Sequence, residues 1–165
     1  MKPQVLIVIG SDSDVPIMSE VGKILKELRI PYTITIASAH RTPERTIRLA
    51  SKAEEEGIEV IIAGAGMAAH LAGVLASHTI LPVIGVPIEA SPLNGLDSLL
   101  STVQMPPGVP VATVAIGKAG AKNAAILSAQ IISRKDSNLA KKLKEYRKRM
   151  SEEIEKKAKA LKRRF

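Results

Sequence analysis

Three short segments concentrate the residues able to do chemistry: Gly10-Ser11-Asp12-Ser13-Asp14, Ser38-Ala39-His40-Arg41-Thr42-Pro43 and Gly64-Ala65-Gly66-Met67-Ala68-Ala69-His70. In the second, the imidazole of His40 stands next to the guanidinium of Arg41. The imidazole titrates near neutrality and can both give and take a proton. The guanidinium grips phosphate or carboxylate through two parallel N–H bonds. A lone histidine is more often structural, yet this pairing makes His40 a candidate general acid/base. Gly10, Ser11 and Ser13 combine small side chains, free N–H groups and hydroxyls, which suits a phosphate or a ribose at a helix N-terminus. Ordinary helix capping by Ser and Asp explains the same residues equally well. Gly64 and Gly66 either let backbone approach a ligand closely or permit tight strand-to-helix packing. His70 and His78 are eight apart, not the four of a helical metal pair, and there is no cysteine. No metal site is expected.

These segments need a frame. Val5-Leu6-Ile7-Val8-Ile9 is a continuous aliphatic run of the kind buried on both faces of a parallel sheet. Comparable runs span Tyr32 to Ala37, Val60 to Ala63, Val83 to Val86 and Val111 to Ala115. Between them lie helical patterns. Ile17, Val21, Ile24, Leu25 and Leu28 recur at helical spacing, with Asp14 as cap and Pro16 in the first turn. Thr42-Pro43 opens the next helix in the same style, a small-residue helix follows Gly66, and two more run from about Leu96 to Val103 and Ala119 to Ser133. Five strands alternating with helices predict a doubly wound α/β domain over residues 1–133. Ligands of such sheets bind at the carboxyl ends of the strands, and all three chemical segments follow strands there.

Composition narrows the classes. A 165-residue chain with 45% hydrophobic residues is globular and of one-domain size. Its aromatic residues are Tyr32, Tyr146 and Phe165, too few to stack a run of bases. The absence of cysteine removes disulfides, thiolate metal sites and a cysteine nucleophile together. No apolar run reaches a membrane span, and Met1-Lys2-Pro3 leads straight into a strand, so the expected compartment is the cytoplasm. The net charge of +8 is unevenly spread. Residues 134–165 carry fourteen Lys and Arg against five Asp and Glu, whereas residues 1–133 carry ten against eleven. From about Ser137 to Arg163 this basic segment reads as one helix capped by Asp136 or Ser137, with Leu139, Leu143, Tyr146, Met150, Ile154, Ala158 and Leu161 on one stripe. It reads as a solvated helix face that overruns its domain and seeks a neighbouring subunit, without the aromatic or Gly-Arg interleaving of an RNA binder.

Taken in order, the three segments together with Asp97-Ser98-Leu99-Leu100-Ser101, Val103-Gln104-Met105-Pro106 and Ala115-Ile116-Gly117-Lys118-Ala119-Gly120 resemble the PurE family. The resemblance runs from about residue 5 to residue 133. It implies a flavodoxin-like three-layer fold, a homo-octamer, no cofactor, and an enzyme of purine biosynthesis. That enzyme moves a carboxylate from the exocyclic N5 to ring carbon 4 of an aminoimidazole ribonucleotide. By the same resemblance Ser11, Asp14 and Arg41 contact the ribonucleotide, His40 is the general acid/base, and Ser38, Ala65, Gly66 and His70 line the pocket beside Ser13. Met67 departs from the glycine many members carry and would reshape the rim. The related carboxylase branch, which uses free CO2, reads differently in the third segment.

Two other readings compete. Gly64-Ala65-Gly66-Met67-Ala68-Ala69 fits a dinucleotide-binding GxGxxA, but the acidic residue it requires, with Glu89 as nearest candidate, lies too late in the chain. A receiver-type signalling domain would use Asp12, Asp14 and Lys118, yet its phosphoacceptor position after the third strand is Gly64-Ala65-Gly66. A nucleic-acid-binding role rests on the basic tail alone.

Overall fold

The computed structural model describes residues 2–162. The expected helix end at Arg163 lies outside the described residues. Five strands, β1 (Val5–Ile9), β2 (Tyr32–Ile36), β3 (Val60–Gly66), β4 (Val83–Ile88) and β5 (Ala112–Thr113), form one parallel sheet in the order β2-β1-β3-β4-β5. Six helices join them: α1 (Val15–Leu28), α2 (Pro43–Lys52), α3 (Leu71–Ala76), α4 (Leu96–Val103), α5 (Gly117–Ile132) and α6 (Ser137–Lys162). The chain reverses direction across the sheet between β1 and β3, which is the switch point of a flavodoxin-like topology.

The central strand shows why the aliphatic runs are continuous. Val5, Ile7 and Ile9 point into a core with α1, α5 and the start of α6, while Leu6 and Val8 point into a second core with α2 and α3. Both faces are covered, so every residue of β1 is buried. β2 differs from that expectation. It is an edge strand, and Ile34 and Ile36 stand exposed on it. β5 is also shorter than Val111 to Ala115, because only Ala112 and Thr113 pair with β4 before the chain turns into α5.

Where an element begins decides what the site presents. A 3-10 turn at Asp12–Asp14 precedes α1, and Pro16 occupies its first turn as expected. Asp14 holds the N-cap position, but its carboxylate makes no capping bond; it is buried instead. Thr42 likewise does not cap α2. Its hydroxyl donates to the Ser38 carbonyl at 3.1 Å and accepts from the Ser38 N–H at 2.9 Å, closing the segment before the helix. α3 starts at Leu71 rather than just after Gly66, because Gly66 is still strand and residues 67–70 form a tight turn. α6 does have its cap: Asp136 Oδ1 accepts the N–H groups of Asn138 and Leu139 at 2.9 and 3.0 Å.

The first half of α6 belongs to the core. Leu139 is buried, and Leu143 and Tyr146 pack against α1 and α5. Burying Leu139 contributes about 1.5–3 kcal/mol. The exposed Arg149–Glu27 ion pair contributes about 0–1 kcal/mol, so apolar burial is what seats the helix. Past Tyr146 the stripe continues without cover: Met150, Ile154 and Leu161 are all more than half exposed. At about 1.5 Å per residue, 26 residues span about 39 Å, well beyond the body that α6 rests on.

Candidate functional site

The carboxyl ends of β1, β2 and β3 open into a cavity of about 500 Å³. Its wall contains Ser11, Ser13, Asp14, Ser38, His40, Arg41, Ala65, Gly66 and His70, so all nine site residues expected from the sequence converge on one place. Gly10, Ala39, Met67, Ala68, Leu71 and Ala90 complete the lining. Ala90 was not anticipated. It follows β4, and the pairing of Gly66 with Ile88 brings it against the end of β3. The adjacency of β3 and β4 is the signal that could have found it. Ala69, between Ala68 and His70 in the third segment, is buried at 2% exposure and does not reach the lining.

Glycines set the depth of the floor. A Cβ on Gly64 would sit 2.4 Å from Met18 Sδ, so Gly64 serves strand-to-helix packing. A Cβ on Gly66 would sit 2.5 Å from Ala90 Cβ and 3.1 Å from the Ile88 carbonyl, so at Gly66 β3 and the end of β4 touch across the floor.

The second segment is locked by its own hydrogen bonds. Beyond the Thr42 contacts, the Arg41 N–H donates to Ser38 Oγ at 3.2 Å. The Arg41 guanidinium reaches across to the first segment, where Nη2 donates to the Gly10 carbonyl at 3.2 Å. That contact aims the side chain and leaves its remaining N–H groups for an anion. His40 Nε2 lies 2.8 Å from His70 Nδ1, with the rings edge to face at 80°. One ring nitrogen must offer a lone pair to the other, so while the bond stands only one imidazole can be cationic. Both histidines are exposed at the cavity mouth.

The carboxylates of the first segment have opposite surroundings. Asp12 is exposed and held below its ordinary pKa, chiefly by the Ser11 hydroxyl and then by the Ser13 N–H, both at 3.0 Å. Asp14 is only 4% exposed, and burial pushes its pKa up despite the Ser13 hydroxyl at 3.3 Å. Burial therefore disfavours its charged form relative to a solvated aspartate. On the rim, Met67 has a φ of 56°, the left-handed region that costs a side-chain-bearing residue about 1–2 kcal/mol.

Fold and site together define a flavodoxin-like α/β protein whose cavity at the switch point brings a guanidinium and a hydrogen-bonded histidine pair together. Residues 4–153 match the family model described as AIR carboxylase, and the chain belongs to that family. It is 61% identical to the N5-carboxyaminoimidazole ribonucleotide mutase of Pyrococcus horikoshii, over 97% of this chain and 89% of that protein. It is 60% identical to the protein of the same name from Thermotoga maritima, over 96% and 92% of the two chains. Among solved structures, a variant of Treponema denticola PurE2 superposes with a TM-score of 0.86 at 30% identity, covering 95% of this chain and 96% of that one.

Proposed function

We propose that the protein is a mutase of de novo purine biosynthesis that converts N5-carboxyaminoimidazole ribonucleotide into the isomer carboxylated at ring carbon 4. The observation that carries the reading is the cavity itself: His40 bonded to His70 at its mouth, Arg41 aimed across it, and a floor of Ala65 and Gly66. Curated relatives at 50–61% identity bear the name of this mutase.

The chemistry asks for one group that donates and then accepts. In the first half, the bond between N5 and the carboxylate carbon breaks, its electron pair stays on nitrogen, and His40 supplies the proton that nitrogen needs. In the second, carbon 4 attacks the released CO2 and its hydrogen leaves as a proton to His40. Atoms and charge balance with no further reactant, which makes no demand for a cofactor. A positioned imidazole suits both steps, because it can give a proton in one and take it back in the other. Arg41 and the Ser11 and Ser13 hydroxyls take the ribose phosphate, the Asp14 carboxylate accepts from a ribose hydroxyl, and Ser38 supports Arg41. The small apolar floor gives CO2 a site poor in competing water.

The assembly is proposed to be a homo-octamer working in the cytoplasm, with residues 1–133 as the catalytic body. The uncovered distal stripe of α6 supplies contacts to a neighbouring subunit. No helix among the described residues is long and apolar enough to cross a membrane.

A second reading, a carboxylase that adds free CO2 to aminoimidazole ribonucleotide, is favoured by the description of the family model. Supplying the two substrates separately separates them. The mutase consumes the carboxyamino compound without ATP and turns over the plain ribonucleotide only at high bicarbonate. A carboxylase prefers the plain ribonucleotide with CO2, and that preference would overturn the assignment.

A further inference from the structure

The cavity mouth carries one long apolar side chain that the proton chemistry does not use. Among the lining residues, only Met67 and Leu71 have apolar side chains longer than a methyl group. Leu71 is fixed in the core at 2% exposure, whereas Met67 is 60% exposed. The Met67 backbone is left-handed, against the preference of a residue with a side chain. Its neighbours impose that conformation. Gly66 is held by its pairing with Ile88 and its contact with Ala90. On the other side, the His70 N–H donates to the Ala68 carbonyl at 2.9 Å, and His70 is tied to His40. The anchor is fixed by these contacts, and from it an unbranched thioether with three rotatable bonds stands exposed at the mouth. Strain retained at the rim of a site points to a use for the residue that bears it.

We propose that Met67 is the cap that keeps CO2 in the cavity between the two half-reactions, and so sets the partition between recapture and escape. The proposal rests on the mutase reading. After the N5–C bond breaks and before carbon 4 attacks, nothing covalent holds the CO2. Ala39, Ala65 and Ala68 present only methyl groups to the cavity, whereas Met67 offers a long apolar side chain at its rim. Met67 folded over the bound ribonucleotide displaces water and lays apolar surface on an apolar intermediate, lengthening its stay relative to the attack.

The test uses carbamate substrate carrying ¹⁴C in its carboxylate, in buffer holding unlabelled bicarbonate and carbonic anhydrase, which converts any escaped CO2 to the unlabelled pool. The parent protein should pass most of the label to carbon 4. Met67→Gly and Met67→Ala should lose several-fold more label, and release several-fold more decarboxylated ribonucleotide per product formed. Met67→Leu should restore retention. The melting temperature of Met67→Gly should equal or exceed the parent's, because glycine accepts the left-handed backbone, and this separates lost cover from lost fold. Equal label retention in the parent and Met67→Gly overturns the role of Met67. A parent protein that does not convert the carbamate at all overturns the mutase reading instead, so the two failures are told apart.

Discussion

Replacing Gly66 with alanine tests whether the close approach of β3 to β4 sets the geometry of the cavity. The new Cβ would start 2.5 Å from Ala90 Cβ and 3.1 Å from the Ile88 carbonyl oxygen. Carbon atoms settle at about 3.5–4.0 Å, so the floor must move by about 1 Å. Neither neighbour is the end of a flexible side chain: one is an alanine methyl, the other main chain in a paired strand. Overpacking of this kind costs about 1–3 kcal/mol. For a chain of this size that lowers the melting temperature by about 2–12 °C. The same movement carries Met67 to His70 away from the second segment, and a misplacement of about 1 Å costs about 10²-fold in turnover. Gly10→Ala is the control in the same cavity. Its Cβ would meet nothing closer than Ala65 Cβ at 3.4 Å, so its melting temperature should stay within about 2 °C of the parent's. Differential scanning calorimetry and steady-state kinetics on both variants decide the matter. A Gly66→Ala protein with parental melting temperature and turnover would refute the reasoning.

Three further outcomes are expected. Arg41→Ala and Ser11→Ala should raise KM for the ribonucleotide more than they lower kcat, as steady-state kinetics would show; a loss confined to kcat would assign them to the proton steps. Burial raises the folded-state pKa of Asp14 above the ordinary value of 3.8, so the folded protein binds the extra proton more tightly than the unfolded chain. That contribution is fully present below 3.8 and is lost as pH rises through the folded-state value. Asp14→Asn should therefore melt higher than the parent at neutral pH, and the gain should shrink towards pH 3.5 in a series of thermal melts. Truncation after Ser133 should give smaller assemblies or insoluble protein by light scattering, since it uncovers the core that Leu139, Leu143 and Tyr146 close; an intact octamer would show that α6 does not hold the assembly together.

Much of this was legible because burial writes itself into residue type. The run Val5 to Ile9 is of the kind a strand covered on both faces carries, and in an alternating α/β chain the three chemical segments follow strands on one edge. Convergence of His40, Arg41 and the Ser11 segment then followed from topology. What stayed hidden depends on non-local geometry. Tyr32 to Ile36 has the same residue types whether central or at the edge, and only strand order exposes Ile34 and Ile36. Asp14 looks like a cap in sequence, but a preceding 3-10 turn places its carboxylate in the cavity wall. The bond between His40 and His70 joins residues thirty positions apart, and no local pattern announces it. Ala90 enters the site because β4 neighbours β3.

We propose that His40 drives the transfer of the carboxylate from nitrogen to carbon in this cavity. The most direct test of that role follows ¹³C by NMR from the carbamate of the substrate, without ATP, in the parent protein and in His40→Asn. The parent should move the signal to the carbon-4 carboxylate. His40→Asn should still bind the ribonucleotide while losing about 10²–10⁴-fold of the rate, the usual worth of positioned proton transfer. Carboxylate transfer by His40→Asn at the parental rate, or no transfer by the parent at all, would contradict the account.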